Sequence, residues 1–180
     1  MIMGKKVVVL TGSPHQNGTS EKLADAFIKG AEAKHTIYRF DAGKRADDLH
    51  YLKVSPEETT IHEDDVVSQE VLPQLVKADV VVFCTSLYYY GINAQLKAVI
   101  DRFYEFNHEL KENKTVYVLI TGNSDGDRNS QAYQPLTSYF DQLCRYMRWD
   151  KKGEVLAADA SDKAKLTQHI KEATQLGQTI

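Results

Sequence analysis

Cysteine is scarce in this chain. Cys84 and Cys144 are the only two in 180 residues, and they form no C-x-x-C pair, so neither a disulfide framework nor a dithiol motif is available. Cys84 closes an apolar strand and Cys144 sits on an apolar helical face, where both read as packing residues. No secretory leader and no apolar run of about 18 residues can be found, so the expected setting is soluble, thiol-reduced and cytoplasmic, with no membrane partner. Charge of one sign is also missing. The 22 basic and 25 acidic residues leave a net charge of −3, which provides no basic face for nucleic acid. It is also less acidic than an electron shuttle that docks electrostatically on many partners. No linker, repeat or low-complexity tract divides the chain, so residues 1–180 are expected to form one domain.

Several familiar motifs are absent as well. The six histidines have no metal-ligand spacing. His62 lies beside Glu63, Asp64 and Asp65, as in a solvated acidic turn that opens a helix. Asp125 and Asp127 flank Gly126 but do not complete a calcium loop. No Ser-His-Asp arrangement can be read from the chain, which leaves Ser13 and Ser86 open but unsupported as nucleophiles.

The segments that are present alternate between strand and helix. Val7–Leu10, Thr36–Phe40, Val80–Cys84, Val116–Ile120 and Glu154–Ala158 read as strands. The runs at 80 and 116 are wholly apolar, as expected of a parallel sheet covered on both faces. Helical spacing predicts helices over Ser20–Ala33, Asp65–Lys77 with a kink at Pro73, Ala94–Phe106, Gln131–Met147 and Asp162–Leu176. Five strands alternating with helices predict an α/β doubly wound, three-layer sandwich. The stretch from 42 to 64 is polar, aperiodic and longer than a usual connection. It reads as a lid or partner surface, with Tyr51, Leu52 and Val54 favouring docking over disorder.

Ligands of such a sheet sit at the carboxyl ends of its strands. The first strand runs into TGSPHQNGTS, a loop of small and hydroxylated residues before a helix N-terminus. Unpaired first-turn N–H groups and the helix dipole favour an anion there. Ser13, Thr19 and Ser20 add hydroxyls, Gly12 and Gly18 permit close approach, and His15 is the one nearby group able to add charge. The loop lacks the Gly-Lys-Ser/Thr ending of a nucleoside-triphosphatase and lacks G-x-G-x-x-G. It suits a single phosphomonoester such as that of FMN, or an ordinary strand-to-helix turn, and taken alone it does not choose. The second loop carries Tyr88, Tyr89 and Tyr90, which cannot all face one core. They either cover a flat apolar ring, with Gly91 relieving the turn, or pack under the loop or at a subunit interface. The third loop, TGNSDGDRNS, adds polar groups at the same mouth.

Together these loops resemble the NADPH-dependent FMN reductase and NAD(P)H quinone reductase families of the flavodoxin-like superfold. TGSPHQNGTSEKL resembles the G-S-P-R-x-x-G/S-N-T-x-x-L phosphate loop. SLYYYGINAQLKAVIDRFY resembles the P-x-Y-x-x-x-x-x-x-x-L-K-x-x-x-D-R signature, the more specific of the two matches. The resemblance implies a flavodoxin-like α/β/α sandwich with a five-stranded parallel sheet and an FMN cofactor. It also implies NAD(P)H as co-substrate, a small acceptor such as a quinone, flavin, nitro or azo compound, and a homodimer. Ser13, His15, Gly18, Thr19 and Ser20 would hold the phosphate. Ser86, Leu87, Tyr88, Tyr89 and Gly91, with Asn123 and Ser124, would frame the ring. No side chain is assigned catalysis, because the flavin carries the chemistry. Lys97, Asp101 and Arg102 are expected to form structural ion pairs. The chain departs from the pattern in four places. His15 replaces arginine, implying weaker or pH-dependent phosphate binding. Thr19 and Ser20 replace asparagine and threonine. Ser86 replaces proline, implying a looser tyrosine loop. No cysteine occurs in 42–64, where relatives carry a cluster, so no iron–sulfur centre is expected. A one-electron carrier and a flavin-free hydrolase or phosphoryl-binding protein on the same superfold are the rival functions.

Overall fold

The computed structural model describes residues 4–57, 60–61 and 64–180. His62 and Glu63, read above as part of an acidic turn, lie outside the described residues.

Strands β1 (Lys6–Thr11), β2 (Thr36–Asp41), β3 (Val80–Ser86), β4 (Thr115–Thr121) and β5 (Asp150–Ala157) form one sheet in the order β2-β1-β3-β4-β5. Every pairing is parallel. Alternation along each strand divides the interior in two. Val8, Leu10, Val81, Phe83, Val118 and Ile120 face one layer, and Val7, Val9, Val80, Val82, Cys84 and Leu119 the other. Helices α1 (Thr19–Ala31) and α5 (Lys163–Gly177) cover the second face through Leu23, Phe27 and Ala173. Helices α2 (Leu72–Val76), α3 (Ala94–Asp101) and α4 (Gln134–Met147) cover the first through Leu72, Leu75, Leu96, Val99, Phe140 and Met147. Each fully buried large aliphatic or aromatic side chain contributes about 1.5–3 kcal/mol, so the two layers supply most of the stabilising free energy. Among the described residues no helix is long and apolar enough to cross a membrane.

The fold is therefore the flavodoxin-like three-layer sandwich with a five-stranded parallel sheet. Chain order reverses between β1 and β3, which opens a crevice at their carboxyl ends.

Three elements depart most from the expected boundaries. The helix expected over Ala94–Phe106 is α-helical only to Asp101 and continues as a 3-10 turn, Arg102–Phe106. The tightening accompanies the inward turn of Arg102, whose side chain is fully buried. The Asp65–Lys77 segment is a π-helical turn over Val67–Val71 that resets to α at Leu72, with Pro73 in the first turn of α2. Proline has no N–H for the preceding turn, so the irregularity falls just before it. Strand β5 starts at Asp150 rather than Glu154. Its first residues are polar because it is an edge strand, where one side faces water.

Candidate functional site

The phosphate-loop residues gather where β1 meets α1. Gly18 is the N-cap of α1 in extended conformation, with no side-chain capping bond, and the first intrahelical bond runs from Lys22 N–H to the Gly18 carbonyl. The N–H groups of Thr19, Ser20 and Glu21 therefore have no intrahelical acceptor. Ser13 and Ser20 are buried beside them, and Thr19 is half-buried. A Cβ on Gly12 would lie 2.6 Å from Leu96 Cβ and 2.8 Å from Asn93, so α3 presses directly on the loop. A Cβ on Gly43 would meet the Ser13 carbonyl at 2.0 Å, which makes the residues after β2 a second support. Glu21 faces the same loop, accepting from Asn17 N–H at 2.7 Å and pairing with Lys44. The hydrogen bond from Lys44 holds the Glu21 carboxyl below its ordinary pKa. His15 is exposed, and its ring lies 6.5 Å from the Tyr88 ring with planes 13° apart. The histidine thus stands between the phosphate loop and the tyrosine loop.

The tyrosine loop is a miniature hairpin. Tyr88 and Gly91 exchange backbone bonds of 3.0 and 2.8 Å. Tyr89 and Tyr90 form its tip with φ of 46° and 64°. Positive φ at both central residues is the type I′ turn, ordinarily made with Asn-Gly. Two tyrosines there carry strain that the fold alone does not require. None of the three packs under the loop, and Tyr89 is 100% exposed, which removes that alternative. The base of the hairpin is clasped. Asn93 Oδ1 accepts from Ser86 N–H at 3.0 Å and from Thr85 Oγ1 at 2.9 Å, and Asn93 N–H donates to Thr85 Oγ1 at 3.1 Å. Ser86 thus makes bonds that proline could not. Asn93 Nδ2 is buried with no hydrogen-bond partner among the described residues.

The third loop completes a cleft of about 540 Å³ between Leu87, Tyr89 and Tyr90 on one wall and Asn123, Ser124, Asp125, Ser130, Gln131 and Ala132 on the other. That volume falls within the usual range for a cofactor cleft, about 300–1,000 Å³. Tyr133 fixes this wall. It is fully buried and its hydroxyl donates to the Ser124 carbonyl at 2.6 Å. Burial pushes the phenol pKa up to about 12. Of the expected ring-side residues, Leu87, Tyr89, Asn123 and Ser124 line one cleft. Tyr88 faces His15, and Gly91 lines an adjoining apolar hollow of about 370 Å³ with Ile92, Pro135, Leu136 and Tyr139. Ser86 joins neither wall and lies beneath them.

Arg102 fastens the 42–64 segment to the body. Its guanidinium donates to Asp65 at 2.8 and 3.1 Å and to the His50 carbonyl at 2.9 Å, and pairs with Glu105. Burial would raise the Asp65 carboxyl, but bonds from Arg102 and from the His50 and Ser68 N–H groups outweigh it and hold the pKa below the ordinary value. Lys97 pairs with Asp101 on the same helix. The expected structural roles of these residues are present.

A family model described as a flavodoxin-like fold matches residues 5–177 of this chain. The chain belongs to that flavodoxin-like family. A curated relative from Bacillus subtilis (strain 168), named "Putative NAD(P)H-dependent FMN-containing oxidoreductase YwqN", is 24% identical over 160 residues, 84% of this chain and 83% of the relative. Among solved structures, the NAD(P)H:quinone oxidoreductase from Methanothermobacter marburgensis superposes with a TM-score of 0.76 at 17% identity, covering 98% of this chain and 96% of that one. An FMN-dependent NADH-azoreductase from Bacillus anthracis, solved in complex with FMN, superposes with a TM-score of 0.71 at 12% identity, covering 97% and 98%.

In this flavodoxin-like chain the donor set fits an FMN-sized group. A first turn rich in N–H donors, buried hydroxyls, a glycine on which no side chain fits and an orphaned amide donor stand beside a cleft with aromatic residues on one wall. Three supporting residues escape a reading of sequence alone. Gly43, Asn93 and Tyr133 act through contacts with residues far away in the chain, and nothing in their neighbours announces this. The Cys84 and Cys144 thiols are buried, their pKa values pushed up to about 12 and about 11 by burial. Both are packing residues.

Proposed function

We propose that this chain is an FMN-dependent NAD(P)H oxidoreductase that passes two electrons to a small acceptor such as a quinone, a flavin, or a nitro or azo compound. The observation that carries this reading is a juxtaposition at the switch point of the sheet. A helix N-terminus supplied with hydroxyls lies next to a cleft walled by strained, exposed tyrosines. The names of the similar proteins point the same way.

FMN, when bound, supplies the chemistry of taking hydride from a nicotinamide and handing electrons to an acceptor. The chain's own residues bind and orient it. The N–H groups of Thr19, Ser20 and Glu21, with the Ser13, Thr19 and Ser20 hydroxyls, offer donors to a phosphate without a permanent cation. Gly12 lets α3 pack directly against the loop, and Asn93 Nδ2 is a donor still to be satisfied. Tyr89 and Tyr90 give an apolar wall, and Asn123 and Ser124 give polar groups along the opposite side. The exposed hydroxylated tip of the hairpin leaves the cleft open to more than one flat acceptor.

The proposal extends to a homodimer. Tyr104 and Tyr146 stand exposed at a groove of about 290 Å³ lined also by Leu52, Ile100, Phe103 and Leu143. Aromatic residues around an apolar groove suit a protein interface, and sedimentation velocity at several concentrations measures it. The activity is tested with a visible spectrum of the protein with FMN, before and after anaerobic NADPH or NADH. Bleaching, followed by recovery on adding a quinone, is expected. A protein that retains no flavin once excess FMN is removed by gel filtration refutes the reading, and one that binds FMN but never bleaches leaves only an electron carrier or adaptor.

A further inference from the structure

Three hydroxyls form a row beneath the site. Thr121 Oγ1 donates to Ser86 Oγ at 3.3 Å, and Ser86 Oγ donates to Ser20 Oγ at 3.3 Å. They come from the end of β4, the end of β3 and the first turn of α1, and Thr121 and Ser20 are 1% exposed. Donation in that order leaves the Ser20 hydroxyl proton free for an anion at the helix N-terminus. Both links are longer than the 2.7–2.8 Å typical of O–H···O bonds, so the row has room to tighten. An anion accepting from Ser20 polarises each hydroxyl in turn and strengthens the bonds behind it.

Ser86 is where that row meets the aromatic wall. Its N–H is held by Asn93 Oδ1 at 3.0 Å, at the base of the tyrosine hairpin. The next residue's N–H donates to the Thr121 carbonyl at 2.7 Å. A shift of Ser86 toward Ser20 therefore carries the clasp with it. Proline at this position would lack both the hydroxyl and the N–H.

We propose that Ser86 is a positioning residue that couples occupancy of the phosphate site to the tyrosine loop, so that this chain discriminates phosphorylated from unphosphorylated flavin by more than the direct phosphate contacts. The coupling rests on the reading of the site as an FMN site. The ring wall is drawn to its tight position only when an anion completes the hydroxyl row. Riboflavin, which lacks the phosphate, meets the wall in its looser state.

The test compares dissociation constants for FMN and riboflavin, by quenching of flavin fluorescence, in the wild type and in Ser86→Ala, Ser86→Thr and Thr121→Val. The ratio of riboflavin to FMN constants falls about five- to tenfold in Ser86→Ala, the size expected for losing a hydrogen bond between neutral groups. It falls about two- to threefold in Thr121→Val, which cuts the row at its far end with little change in shape. Ser86→Thr, which restores a hydroxyl, keeps the wild-type ratio. Equal weakening of both flavins in Ser86→Ala indicates packing alone and overturns the coupling. So does a wild type that binds FMN and riboflavin equally well, with the flavin reading intact. A wild type that binds neither flavin overturns both.

Discussion

Replacing Tyr89 and Tyr90 by Asn and Gly should make the flavin-free protein more stable and a poorer flavin binder. Both residues sit in the left-handed region, with φ of 46° and 64°. Such a conformation costs an L-residue with a bulky side chain about 1–2 kcal/mol, while asparagine tolerates it and glycine adopts it freely. Against the relief stands the extra unfolded-state freedom of glycine, about 0.5–1 kcal/mol. Little packing is forfeited, because Tyr89 is 100% exposed and Tyr90 is 60% exposed. The net gain is about 1–2 kcal/mol, which raises the apo melting temperature by roughly 2–8 °C for a chain of this size. If the rings cover a flavin, their removal forfeits about 0.5–1.5 kcal/mol each, and FMN affinity drops about three- to tenfold per ring. The assay is a pair of thermal melts, without and with saturating FMN, alongside a direct FMN titration. An apo melting temperature that falls, or an affinity that does not change, would refute the argument that strain is retained here for the sake of the ligand.

Other expectations follow from the charges and thiols. Arg102→Met leaves the Asp65 and Glu105 carboxylates in a dry interior and should cost about 3–5 kcal/mol, measured as a lower urea midpoint. The depressed Asp65 carboxyl supplies stability that is fully present above its unfolded pKa of about 3.9 and is lost as pH falls through the lower folded value. In Asp65→Asn the acid limb of the stability curve should accordingly be shallower, a difference that urea melts between pH 5 and 2.5 would reveal (about that range, from the same pKa values). His15→Arg sets a permanent cation beside the phosphate loop and should raise FMN affinity about three- to fivefold by titration at neutral pH. Neither thiol should react with Ellman's reagent in the native protein, given pKa values near about 12 and about 11, and both should react after unfolding.

The layers of the fold were legible because a parallel sheet covered on both faces writes itself as short apolar runs. Val80–Cys84 and Val116–Ile120 can be little else. The loop after β1 was legible as a candidate anion site, since small hydroxylated residues between a strand and a helix N-terminus suit one, though they also suit an ordinary turn. What escaped was whatever depends on distant contact. Nothing around Arg102 announces that it turns inward, because its partners at 50 and 65 arrive from another segment. Asn93 stands at the N-cap position of α3, yet its side chain clasps the hairpin and makes no capping bond. The tyrosines were recognisable as out of place, but nothing beside them in the chain marks the positive φ of two of them.

The Arg102 staple also has a consequence for how the chain tolerates change. By holding the His50 carbonyl and the Asp65 carboxylate on one guanidinium, it closes residues 51 to 64 into an excursion whose two ends are fixed to the body independently of what lies between them. Lengthening a closed loop costs little, about 0.6 kcal/mol for each doubling. The excursion is therefore an exchangeable cassette: residues can be added, removed or rewritten there while the sheet and its crevice keep their register.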